Sequence, residues 1–146
     1  MIKILIVDDD DFKINNIKEV LNEVNSHYNI NTEKSLNSGL RRIRNETFDI
    51  ILLDMSMPTF SITDSKNFDS YGGKTFLREM NRKKIKTPVI VITQYDIFGE
   101  GNSQKTAENL DEEFRKSFSN YKGMVKYSSI QNDWITNLKQ SLTDLY

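Results

Sequence analysis

Four consecutive aspartates, Asp8-Asp9-Asp10-Asp11, follow directly on the apolar run Ile4-Leu5-Ile6-Val7, and a lone Asp54 follows the apolar run Ile51-Leu52-Leu53. Thr93 closes a third apolar run, Val89-Ile90-Val91-Ile92, and Lys126 stands in a fourth, weaker segment. Carboxylates drawn together repel one another, and burial adds to the penalty of ionising them. A hard divalent cation relieves that repulsion, and a small all-oxygen ligand set with room for water suits Mg²⁺. A carboxylate is also a nucleophile for phosphorus, giving an aspartyl-phosphate, and a neighbouring cation and ammonium stabilise the charge on the transferring group. The chemistry these residue types could perform together is phosphoryl transfer.

Each position also has a plainer reading. A run of Asp after a strand serves equally as a solvated loop or a helix N-cap. Thr is a good strand residue, and a lone lysine is ordinary on a surface. Asp54 is harder to set aside, because a carboxylate that ends a buried run is unfavourable without a purpose. Their order, and their common place at the ends of apolar runs, is what favours a shared site.

For these residues to meet, the chain must bring the ends of its apolar runs to one edge. Ile4–Val7, Ile50–Leu53 and Val89–Ile92 are short, continuous and rich in Ile, Val and Leu, as strands covered on both faces are. Tyr28–Asn31 reads as an edge strand and Gly123–Tyr127 as the last strand. Between them lie helical spacings: Ile14, Ile17, Leu21 and Val24; Leu36, Leu40 and Ile43 behind a Ser35 N-cap; Phe76, Leu77 and Met80 after Gly72-Gly73; and Ile130, Trp134, Leu138 and Leu142. Alternating strands and helices predict right-handed β-α-β units and an α/β fold, a five-stranded parallel doubly wound sheet whose ligand site lies at the carboxyl ends of the strands. Thr59–Tyr71 reads as a long polar loop, and 99–119 as a turn feeding an amphipathic helix through Ala107, Leu110, Phe114 and Phe118.

The 146 residues suit one domain, 1–146. With 20 basic and 21 acidic side chains, nothing in the charge balance calls for nucleic acid or an anionic membrane. Having no cysteine, the chain has no disulfide or thiolate metal site. No apolar stretch approaches the roughly 18 residues of a membrane span, and the N-terminal run lacks signal-peptide features, so the expected location is cytoplasmic.

Ile4-Leu5-Ile6-Val7-Asp8-Asp9, Ile51-Leu52-Leu53-Asp54-Met55-Ser56-Met57-Pro58 and Thr87-Pro88-Val89-Ile90-Val91-Ile92-Thr93 resemble the receiver domains of bacterial two-component response regulators, from Ile2 to about Leu142. The resemblance implies the flavodoxin-like receiver fold and a phosphoacceptor at Asp54. It implies Mg²⁺ held by Asp8, Asp9, Asp54 and the backbone carbonyl of Ser56. It implies Thr93 as the hydroxyl that bonds the phosphoryl group and Lys126 as the lysine that pairs with it. It further implies phosphorylation by a histidine kinase or phosphotransfer protein, at most self-catalysed turnover rather than enzymatic activity, and output through an effector protein, with homodimerisation open.

The chain departs from the family where Tyr127 follows Lys126 in place of the usual Pro, where Gly123 replaces an aromatic residue, and where Gln94 follows Thr93. Those departures and the two long segments bear on how a signal would be relayed, not on the acidic site. Two other readings stand beside the switch: an interaction module that no longer switches, and a small phosphatase using Asp8-x-Asp10 as nucleophile and acid. His27 reads as a loop residue rather than a phosphorelay donor, and Trp134 as core. With the sequence ending at Tyr146, no DNA-binding element is expected after the last helix.

Overall fold

The computed structural model describes residues 1–58, 68–69, 71–99, 102 and 104–145. A central sheet is built from β1 (Lys3–Val7), β2 (Asn29–Glu33), β3 (Ile50–Leu53), β6 (Val89–Thr93) and β9 (Tyr121–Lys126), all parallel, in the order β2-β1-β3-β6-β9. Counting these five strands alone, the order is 2-1-3-4-5. The crossovers are α1 (Asp11–Val24), α2 (Leu36–Asn45), α3 (Gly72–Arg82) and α4 (Ala107–Ser117), with α5 (Asp133–Asp144) closing the fold. Two short antiparallel ribbons that the sequence did not announce pair β4 (Met57–Pro58) with β5 (Phe68–Asp69) and β7 (Ile97–Phe98) with β8 (Lys105–Thr106).

The continuous apolar runs are continuous because both sheet faces are covered. Leu5, Val7, Ile51, Leu53, Val89 and Val91 face a core shared with α2, α3 and α4, where Phe76 and Phe114 are fully buried. Ile4, Ile6, Ile50, Leu52, Ile90 and Ile92 face the opposite core, filled by Ile14, Ile17, Leu21, Trp134 and Leu138 of α1 and α5. Trp134 is therefore a core residue, as its spacing predicted.

Ser35 caps α2 with its hydroxyl accepting from the Ser38 N–H, as expected. Several boundaries differ, α3 for one beginning at Gly72 rather than after Gly73. The edge strand runs Asn29–Glu33 rather than Tyr28–Asn31, and the last strand starts two residues earlier, at Tyr121. α5 begins at Asp133, leaving Ile130 outside the helix and 88% exposed, because the chain first turns through Ser128, whose Oγ accepts from the Ile130 and Gln131 N–H groups. Most of the expected loop from Thr59 to Tyr71 lies outside the described residues. Of the 99–119 segment, the helix through Ala107, Leu110 and Phe114 is present as α4. Among the described residues no helix is long and apolar enough to cross a membrane.

Candidate functional site

Strand order reverses between β1 and β3, and in open parallel sheets the crevice at such a point is where ligands bind. Val7 pairs in register with Leu53, so the residues that follow, Asp8 and Asp54, leave the sheet side by side. Their backbones are anchored there, Asp8 N–H donating to Glu33 O at 3.0 Å and Asp54 N–H to Val7 O at 2.9 Å. Asp8, Asp9 and Asp54 each bring one carboxylate oxygen within 4.8 Å of the others.

The four N-terminal aspartates divide their work. Asp8 is buried and Asp9 half-buried at the sheet edge. Asp10 is the N-cap of α1, its Oδ1 accepting from the Lys13 N–H at 3.2 Å. Asp11 lies in the first helical turn and meets Lys34 on the surface. The helix-cap reading of the run therefore holds for Asp10, and the site reading concerns Asp8 and Asp9.

Burial pushes the Asp54 carboxyl up to about 7, the charges of Asp8 and Asp9 adding to it against the pull of Lys13. Asp8 is raised by the same loss of solvent, and Asp9 by partial burial and the Asp8 charge. Such a cluster, short of positive charge, suits a cation with oxygen ligands.

One cation is already built in. Lys13, on the first turn of α1, is 1% exposed. Its Nζ lies 2.7 Å from Asp8 Oδ2, 3.2 Å from Asp54 Oδ1 and 2.7 Å from Ile92 O. The ammonium thus has one hydrogen bond, to a backbone carbonyl, and two carboxylate ion pairs. Asp54 Oδ1 also accepts from the Met55 N–H at 2.8 Å. Sequence reasoning missed Lys13, although a signal existed: it stands four residues before Ile17 and seven before Val20, a charged residue on the buried stripe of α1, one turn from the acidic run.

Lys126 is not the lysine brought to Asp54. It pairs with Thr93 in the strand register, and its ammonium bonds Glu108 Oε1 at 2.7 Å and Asp96 Oδ1 at 2.9 Å. The cause is strand alternation. Met124 packs on the α4 side of the sheet, while Val125 and Tyr127 face α1 and α5, so Lys126 follows Met124 to the first turn of α4. Tyr127 holds this arrangement with a bond Pro could not make, its N–H donating to Thr93 O at 2.8 Å. Its ring lies 4.9 Å from that of Trp134, and its hydroxyl accepts from Asn16 Nδ2 at 2.8 Å.

Gly123 has a backbone reason too. Between the pairs Val89–Tyr121 and Val91–Met124 the last strand carries an extra residue, and Gly123 adopts φ +131°, a left-handed value that suits glycine in such a bulge.

A cavity of about 300 Å³ opens over the acidic cluster, lined by Asp9, Lys13, Asp54, Ser56, Gln94 and Tyr95 among others. Ser56 is buried at its wall, and Gln94 and Tyr95 form the exposed side. Thr93 is fully buried behind it, its Oγ1 accepting from the Tyr95 N–H at 3.3 Å.

A sequence profile described as the response regulator receiver domain matches residues 4–111. An uncharacterized protein, y4jR, of Sinorhizobium fredii (strain NBRC 101917 / NGR234) is 31% identical over 98% of this chain and 98% of its own length. The Detocs response regulatory protein DtcB of Enterobacter cloacae (strain JD6301) is 30% identical over 98% of this chain and 99% of its own. Among solved structures, the response regulator TrrA of Thermotoga maritima in complex with Mg²⁺–BeF is 24% identical with a TM-score of 0.65, each chain covered completely. A CheY-like receiver domain protein of Methanospirillum hungatei JF-1 is 21% identical with a TM-score of 0.65, over 99% of this chain and 95% of that one. At these identities the solved structures speak to the fold.

Proposed function

The chain belongs to the response regulator receiver domains, and from that premise we propose that it is a phosphoacceptor switch, phosphorylated on Asp54 with Mg²⁺ by a partner histidine kinase or phosphotransfer protein. The observation that carries this reading is the convergence of Asp8, Asp9 and Asp54 at the strand-order reversal beneath an open cavity.

Asp8, Asp9, Asp54 and the carbonyl of Ser56 would hold the metal, a hard all-oxygen set that fits Mg²⁺. When bound, the ion supplies charge neutralisation for the transferring phosphoryl group. Asp54 Oδ1 is engaged by the Met55 N–H and by Lys13, while no bond to Oδ2 is found among the described residues, so Oδ2 is the nucleophile. It attacks phosphorus as the donor's P–N bond breaks. The electron pair stays on the departing imidazole nitrogen, which takes a proton from solvent. Thr93, at the end of β6, is the hydroxyl that would answer the new phosphoryl group. The domain acts as a substrate of its kinase and has no turnover beyond self-phosphorylation and hydrolysis. Its setting is cytoplasmic, its span 1–146, and its output passes through an effector protein or a second copy.

Incubation with Mg²⁺ and phosphoramidate tests this. The expected result is a mass gain of one phosphoryl group that hydroxylamine removes and Asp54→Asn lacks. An unmodified wild type, or equal labelling of Asp54→Asn, ends the proposal.

A second reading, the non-switching interaction module, draws on Lys13, which gives Asp8 and Asp54 a cationic partner without any metal. It is supported if the wild type takes no label and partner binding ignores phosphodonor. The phosphatase reading would have to use as its acid Asp10, whose Oδ1 caps α1.

A further inference from the structure

Resting on the phosphoacceptor reading above, we propose that Lys13 of α1, not the strand-end Lys126, is the ammonium that binds the phosphoryl group on Asp54. The two lysines differ in every relevant respect. Lys13 is buried, lines the cavity over Asp54 and touches the carboxylate itself. Lys126 is half exposed and engaged by Glu108 and Asp96. Bringing Lys126 to Asp54 would break both ion pairs and reverse a side chain whose backbone is held by the Tyr127 N–H bond to Thr93.

The geometry also explains how Lys13 would respond. Of its three polar contacts, the ion pair to Asp8 Oδ2 and the hydrogen bond to Ile92 O are short, at 2.7 Å each, and the ion pair to Asp54 Oδ1 is longer, at 3.2 Å. With acetyl phosphate as donor, Asp54 Oδ2 bonds to phosphorus, the P–O bond to acetate breaks, and acetate leaves with the electron pair, so no net proton moves. Oδ1 then belongs to an uncharged acyl group and becomes a weaker acceptor than the carboxylate was. The Lys13 ion pair with Asp54 is thereby weakened and the ammonium can turn an N–H to a phosphoryl oxygen, while Asp8 and Ile92 hold it in place. Since Ile92 precedes Thr93, the same bond ties α1 to the end of β6, so the new contact is felt on both elements.

The test compares the initial rate of labelling by acetyl phosphate and Mg²⁺ in the wild type, Lys13→Met, Lys126→Gln and Asp54→Asn. Loss of a charge-assisted contact predicts on the order of tenfold or more slower labelling for Lys13→Met. Loss of an exposed ion pair predicts Lys126→Gln within roughly twofold of wild type. A tenfold loss in Lys126→Gln, or none in Lys13→Met, overturns the assignment. Because Lys13→Met removes a buried charge, the wild type is also read directly by ¹⁵N-lysine NMR. A solvent-protected ammonium signal, retained in Lys126→Gln, should shift on adding Mg²⁺ and beryllofluoride, and an adduct formed without that shift overturns the assignment too. Failure of the wild type to label at all is a different outcome, which removes the phosphoacceptor reading itself.

Discussion

Asp54 holds a proton more tightly in the folded chain than in the unfolded one, since burial raises it from 3.8 to about 7. A group raised in this way contributes stability that is complete below its unfolded value and lost as pH rises through its folded one. The groups facing it are Asp8 and Asp9 at the end of β1, both raised, and Lys13 on α1, which stays charged throughout that window. Without divalent cation, the thermal midpoint should therefore fall between about pH 5 and pH 8. Asp54→Asn should flatten that fall and leave the variant more stable than wild type at the upper end. Mg²⁺ should restore the wild type there, by an amount that grows with its concentration over its dissociation constant. Thermal melts at the two pH values, with and without Mg²⁺, check both statements, and an equal slope in Asp54→Asn would refute the first.

At the scale of elements, the site depends on how closely α3 packs on the strand end that carries Asp54. The Gly73 N–H donates to Met55 O at 2.8 Å, and a Cβ on Gly73 would come within 2.9 Å of Met55 Sδ and 3.0 Å of Asp54 O. One of those neighbours is backbone, which does not yield as a flexible side chain would. Gly73→Ala should therefore destabilise by about 1–3 kcal/mol through overpacking, measured by urea denaturation. The sequence placed the Gly72-Gly73 pair just ahead of a helix, and the structure has it inside the first turn. That the second glycine abuts the Asp54 backbone was not visible in the sequence, because such an approach depends on where the crossover returns to the sheet. The Ser35 cap, by contrast, was legible, since a cap is settled by residues three apart. Ile130 was misplaced because a four-residue spacing extends a helix on paper past the turn that actually starts it.

For the whole molecule, the two-sided sheet concentrates stability in residues that close each face. Phe114 is fully buried on the α4 side against Phe118 and Tyr121, with ring centroids at 5.8 and 5.4 Å. Phe114→Ala should cost about 3–5 kcal/mol, whereas Ile130→Ala, at an exposed position, should stay within about 0.5 kcal/mol. Chemical denaturation of the two variants decides whether the apolar residues were sorted correctly between core and surface.

The sequence by itself determined the alternation of strands and helices, the parallel doubly wound sheet and the gathering of Asp8, Asp9 and Asp54 at one edge. Each follows from local patterns: continuous apolar runs, helical spacing, and acidic residues where the runs stop. Only the tertiary structure decided which lysine stands beside Asp54. Lys126 reads as a strand-end lysine, yet alternation with Met124, held by the Tyr127 N–H bond to Thr93, turns its side chain toward α4. Lys13 reads as a flaw in an apolar stripe, yet that stripe faces the acidic cluster, so its ammonium ends among Asp8, Asp54 and Ile92. Spacing along the chain shows which face of an element a residue occupies. What that face meets is set by the packing of elements far apart in sequence.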